Sequence, residues 1–237
     1  MGVSDKPKRF YTAVTTQPDE GGWSILLDDR PIKTPAKATL ALPTEALAQA
    51  VAAEWDAQGE RIDMASMTLT KLANVAIDRT PDTRAAMADE LAKYAETDVV
   101  CYHAEGPSPL RERQYAGWQP WREWAGKTHD IVLVSVDGIV AVVQPQASLD
   151  AVRAHAVGLD DFRLTALLWG CSLLGSAVLA IAVEQGALDA SEALKLASID
   201  EDWQIETWGH DDEAARFRAV REKEAVALGL WFAALKG

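Results

Sequence analysis

Twenty consecutive residues, Leu164 to Val183, carry no charge, and only Thr165, Ser172 and Ser176 interrupt their apolar character. One helix of that length could span a bilayer. Its flanks argue against it: Asp160, Asp161 and Arg163 precede the run and Glu184 follows it. No basic cluster sets an orientation, and no aromatic belt closes the far end. A helix that is apolar on every side also fits the centre of a soluble helical domain. The expectation is therefore a buried central helix over residues 162–184, in a chain that is not an integral membrane protein. Ala166, Gly170, Ser172, Gly175 and Ser176 would let neighbouring helices approach closely. A peripheral membrane-associated factor using this segment is the competing reading.

What surrounds such a helix changes along the chain. Residues 9–14 (RFYTAV), 23–27 (WSILL), 32–35 (IKTP) and 39–42 (TLAL) are short, β-branched or aromatic segments separated by Asp-Glu-Gly-Gly and Asp-Asp-Arg-Pro turns. Pro31 and Pro35 confine the third segment to a sheet edge. From Pro43 onward apolar residues recur at helical spacing, with Thr44 as an N-cap and Leu47, Val51, Ala52 and Trp55 on one face. Met64 to Asp78, Thr80-Pro81 onward, Leu110 to Lys127 and Ser148 onward continue in helical period. One stretch breaks the rhythm: residues 131–143 (IVLVSVDGIVAVV) place Asp-Gly between β-branched runs, which predicts a hairpin packing on the N-terminal sheet. The fold class is α+β: a β-rich N-terminal domain over residues 1–60 and a larger helical domain, orthogonal and bundle-like, over residues 61–237.

Charge narrows the functions. The chain carries 23 Lys and Arg against 36 Asp and Glu, a net −13. Nucleic acid binding starts from a basic face that displaces counterions, so nucleic acid is not a partner. Between Glu184 and Glu213 ten acidic residues meet a single base, Lys195. Such a run is either a solvated face or a surface that steers a basic partner. Two distant cysteines, Cys101 and Cys171, suit a reducing compartment. No apolar run follows the basic residues at the N-terminus, so no secretory signal is expected.

Catalytic patterns are missing. The glycines form no phosphate-cradling loop. Gly170-Cys171-Ser172 misses the nucleophile-elbow spacing and lies in the apolar helix. Histidines 103, 129, 155 and 210 are dispersed, and the string His210-Asp211-Asp212-Glu213 cannot aim consecutive side chains at one ion. No cofactor or metal is expected and the chain does not read as an enzyme. The alternative is an enzyme with a pocket lined by carboxylates that converge in space. Trp118, Trp121 and Trp124 share one helical stripe, which suits either core or interface anchors.

Taken in order, RFYTAV, LDDRPIKTPAKATLALP, LAQAVAAEWDAQ, LTKLANVAID, TDVVCYHA, FRLTALLWGCSLLGSAVLAIAV and DEDWQIETWGHDDEA cover most of the chain. In this sequence it resembles the assembly chaperones of F-type ATP synthase that act on the alpha subunit of the catalytic head. The resemblance implies an ATP-independent, non-enzymatic chaperone that binds unassembled alpha over the surface later covered by beta and prevents its aggregation. It implies a functional acidic residue in DEDWQIETWG, placed at Glu201 with Asp200 and Asp202 beside it, and extends to Asp211 and Glu213. Glu201 would pair with a base on alpha or cap a helix. Mitochondrial relatives carry a presequence that is not seen here, which suggests a bacterial cytoplasmic protein, expected as a monomer.

Overall fold

A computed structural model describes residues 6–209 and 211–236. The N-terminal sheet forms around β2 (Gly22–Leu27), whose Ile25, Leu26 and Leu27 are buried. β1 (Val14–Asp19) pairs with it antiparallel, from Val14 opposite Leu27 to Asp19 opposite Gly22. The short β3 (Arg30–Pro31) and β4 (Ala41–Leu42) take the other edge. Residues 9–13, expected as strand, stay outside the ladder. Arg9 donates instead to the carbonyls of Asp56 and Gln58, and the Tyr11 hydroxyl donates to Trp55 O at 2.6 Å. The Trp55 and Asp56 carbonyls end α1 (Glu45–Asp56), so the Arg9 cation sits where the helix dipole favours one.

Thr44 caps α1 as its sequence implies, its Oγ1 accepting from Leu47 N. The same hydroxyl donates to Ala234 O at 2.7 Å and ties the start of α1 to the end of the last helix. α2 (Thr68–Asp78) has no capping side chain of its own. Glu54 of α1 supplies the acceptors, taking the N–H groups of Leu69 and Thr70 at 2.8 Å each. α3 (Thr80–Glu96) follows, with Pro81 in its first turn, where the missing N–H costs nothing.

The apolar run is two helices rather than one. α6 (Asp161–Leu174) stops at Gly175, whose φ of +61° suits a residue without a Cβ, and α7 (Ala177–Gln185) restarts under a Ser176 cap. The reason lies next door, in the link between α3 and α4 (Ser108–His129). There the fully buried Asp98 accepts from Val100 N at 3.2 Å and from Val178 N at 3.0 Å. Val99 N donates to Gly175 O. The bend sends α6 against α2 and α3, while α7 packs on α4. No described helix is long and apolar enough to cross a membrane.

The expected hairpin at 131–143 does not form. Only β6 (Val136–Asp137) is strand, and it runs parallel to β5 (Tyr102–His103), away from the N-terminal sheet. Side chains take the place of a second arm. Gln144 accepts from Val134 N and donates to Val134 O, and Ser148 does the same for Val132. With those backbone groups satisfied, nothing draws residues 139–143 back into a ladder, and Ile139 is 98% exposed.

α5 (Gln146–Gly158) brings His155 to the end of α7, where Glu184 is fully buried. Arg163 Nε donates to Glu184 Oε1 at 2.8 Å, Gln185 donates to Oε2 at 2.6 Å, and His155 Nε2 lies 3.1 Å from Oε2. Burial pushes the Glu184 carboxyl up, but His155, Arg163 and Gln185 outweigh it and hold Glu184 below its ordinary range. Replacing Arg163 with Ala strands a buried charge and is expected to cost about 3 kcal/mol in urea denaturation. A cost below about 1 kcal/mol would mean that His155 and Gln185 suffice.

The His129 ring packs edge-on to His155 at 5.1 Å, and its Nε2 is buried without a hydrogen-bond partner among the described residues. Burial first, then the charge of His155, lower the His129 pKa, with Glu184 opposing. The unfolded chain therefore takes up this proton first, and stability is lost as pH falls through about 6.5. A His129→Phe variant is expected to gain on the wild type between pH 7.5 and 5.5. Parallel urea curves at the two pH values would contradict that assignment.

Candidate functional site

The last three helices are short α8 (Ala190–Ala197), α9 (Ile199–Trp208) and the 23-residue α10 (Asp212–Ala234). α10 carries a stripe at helical spacing: Ala214, Phe217, Arg221, Ala225, Leu228 and Phe232. Its C-terminal half is ordinary core, with Ala225, Leu228, Trp231 and Phe232 buried. Its first two turns are exposed, and so is the end of α9. Trp208 is 77% and Phe217 66% exposed. α9 and α10 thus form a hairpin whose outer part continues a core face beyond the body that would cover it.

Every candidate acid of the sequence lies on this hairpin. Glu201 accepts two bonds from Arg221 Nη1, at 2.9 and 2.8 Å, while Arg221 Nη2 reaches Leu173 O at 3.3 Å. Asp202 pairs with Arg218. Asp200 turns towards α4 and accepts from Gln114 Nε2 at 2.6 Å. Burial raises its pKa against the Gln114 hydrogen bond, with the Glu201 charge adding to the rise. Asp211 caps α10 by accepting from Glu213 N at 3.1 Å. Neither Asp211 nor Glu213 has an ion-pair partner among the described residues. His210 lies outside the described residues.

The sequence reading missed the arginines. Arg218, Arg221 and Arg113 are far from the α9 acids in sequence, and Arg113 clasps Glu206 with two bonds of 2.9 Å while stacking over Trp203. It also missed Trp208 and Phe217, which the helical spacing of the α10 stripe could have revealed. The tryptophan stripe of α4 belongs to the body: Trp118 is buried and donates to Leu196 O at 2.8 Å, with Trp121 and Trp124 packed at the core's edge.

A surface trough of about 390 Å³ runs between α9 and α10, with Ile205, Trp208, Ala214 and Phe217 as its apolar wall and Glu201, Asp211 and Arg218 at its rim. A second trough, lined by Leu194, Lys195, Ala225 and Val226, adjoins it at Arg218. Two further carboxylates raised by burial lie elsewhere. Asp98, pushed up to about 6 by burial against its N–H and Ser176 donors, and Glu54, also raised by burial, line neither trough. They are spent as acceptors for helix ends. Among the described residues no group of three His, Cys, Asp or Glu side chains could hold a metal ion.

Replacing Arg221 with Ala removes the ties from α10 to Glu201 of α9 and to Leu173 O of α6. Amide exchange in α9 is expected to quicken about tenfold, the worth of one or two charge-assisted bonds, with a small change in global stability. Unchanged α9 protection would mean that packing of Ile199 and Trp203 holds the helix by itself.

Comparison with known proteins places this geometry. The family model described as ATP12 chaperone protein matches residues 8–126. The mitochondrial protein atp12 of Schizosaccharomyces pombe is 25% identical over 219 residues, 87% of this chain and 75% of that protein. The crystal structure of Atp12 from Paracoccus denitrificans superposes with a TM-score of 0.86 at 40% identity, covering 96% of both chains. An aspartate-to-lysine mutant of the same protein gives the same values. A candidate chaperone from Agrobacterium tumefaciens superposes with a TM-score of 0.91 at 38% identity, over 97% of this chain and 86% of that one.

Proposed function

The chain belongs to the ATP12 chaperone family, whose members serve ATP synthase assembly, and we propose that its client is the unassembled alpha subunit of the catalytic head. It would hold alpha at the surface that beta later covers, prevent its aggregation and release it to beta. We further propose that it acts as a monomer in the bacterial cytoplasm, without cofactor or catalysis, and that client contact runs through Glu201, Asp200, Asp202, Asp211 and Glu213.

The observation that carries this reading is a whole-chain match to a chaperone fold at 40% identity together with an exposed, acid-rimmed hairpin. A holdase needs apolar surface its client can cover and charge that keeps its own copies apart. Trp208 and Phe217 provide the first and a net −13 the second.

Glu201 presents two roles that a single substitution confuses. Glu201→Lys would abolish a contact with a base on alpha, and would also set Lys against Arg221 and spring α9 from α10. The swap Glu201→Arg with Arg221→Glu restores the internal pair and leaves the outward charge reversed. Light scattering of purified alpha, warmed with each variant, separates the two. The reading expects protection by wild type, and loss of protection in both the single variant and the swap. Rescue by the swap would make Glu201 an internal latch and move the contact elsewhere. No protection by wild type would end the alpha reading itself.

A further inference from the structure

We propose that the uncovered outer face of the α9–α10 hairpin is a docking groove for an apolar segment flanked by Lys or Arg in the client, with Trp208 and Phe217 as its anchors. This deepens the chaperone reading and rests on it. The apolar half of the inference comes from the stripe. Phe217 lies two helical turns before Ala225 and on the same face, yet Ala225 is sealed in the core while Phe217 is 66% exposed. A face of core composition, left bare for the outer turns of one helix, fits a partner that completes the packing.

The basic half comes from charge. Residues 200–224 hold nine acids (Asp200, Glu201, Asp202, Glu206, Asp211, Asp212, Glu213, Glu222, Glu224) against four bases (Arg216, Arg218, Arg221, Lys223). Arg218 and Arg221 are committed to Asp202, Glu222 and Glu201. Asp211, Asp212 and Glu213, at the tip beside Trp208, make no ion pair among the described residues. The potential over the groove is negative and complements a cationic segment, whereas a second copy of a chain at −13 would be repelled.

The test uses the full chain and a fluorescein-labelled amphipathic leucine–lysine peptide, with its leucine–glutamate counterpart as the opposite charge. Fluorescence anisotropy is expected to show the leucine–lysine peptide binding at least about tenfold tighter than the other, with affinity falling as salt rises. Trp208→Ala with Phe217→Ala, both exposed and so tolerated by the fold, is expected to lose at least about tenfold. The pair Asp212→Lys and Glu213→Lys is expected to weaken the leucine–lysine peptide and spare apolar anchoring. Circular dichroism and thermal melting confirm that each variant is folded. Equal binding by the anchor variant would place the peptide elsewhere on an acidic surface and overturn the groove. Equal binding of both peptides would overturn its charge preference. Self-association of the wild type, abolished in the anchor variant, would make the face a contact between copies. An anchor variant that loses the peptide but still protects alpha would overturn the groove as the client site and leave the chaperone reading intact. A wild type that takes the peptide through Trp208 and Phe217 but gives alpha no protection would uphold the groove and end the alpha reading.

Discussion

Asp98 is the joint around which the helical part is arranged. A wholly buried carboxylate is costly unless every oxygen finds donors. Here those donors are the N–H groups of Val100 and Val178, one on each of two chain segments that must meet. With Val99 N on Gly175 O, the link after α3 and the break between α6 and α7 are fixed to each other by two hydrogen bonds, one to the Asp98 carboxylate and one between backbones. The bend follows from that junction. A straight helix across 162–184 would carry Val178 N past the carboxylate and leave it unmatched. Because the bend exists, α6 and α7 can face different neighbours, and a segment apolar all round finds cover on every side. Loss of the joint would reach from the α4 tryptophans to the C-terminal helix.

The sequence makes the composition of this core plain and its geometry only half so. The apolar run, the Thr44 cap, the Pro81 start and the Trp118 stripe follow from local chemistry, and they appear where that chemistry puts them. The break at Gly175-Ser176 was written in two residues that also suit close helix packing, and only the distant Asp98 decides between those uses. The segment at 131–143 shows the same limit from the other side. β-branched residues about an Asp-Gly favour a hairpin, yet Gln144 and Ser148 satisfy the backbone first, and tertiary context overrides propensity. Arg9 and Tyr11 likewise look like strand residues and are taken by the carbonyls that end α1.

The hairpin was legible as charge and illegible as architecture. Ten acids between residues 184 and 213 mark the region in the sequence, but the count treats every carboxylate as free. Folding sorts them. Glu201, Asp202 and Glu206 are held by Arg221, Arg218 and Arg113, and exposed pairs of this sort contribute little to net stability. Their effect is geometric: α9 is held along α10 and the trough between them keeps its width. The tip acids remain available outside. One composition signal therefore contains an internal clasp and an external potential, and only the positions of three arginines tell them apart.

A protein that keeps part of a core face uncovered faces its own version of the problem it would solve for a client. Trp208 and Phe217 in water invite association with any apolar surface, including another copy. Burying them against the body would remove the hazard and the groove together. The structure instead places them far out on a hairpin whose residues 200–224 carry a net excess of acids. A net −13 spread over a chain of this size opposes self-association at long range, while the paired arginines keep the groove from being neutralised by its own bases at short range. An apolar client segment with cationic flanks meets attraction on both counts, and an acidic or identical chain meets repulsion before contact. Selectivity of this kind comes from what is refused as much as from what is bound.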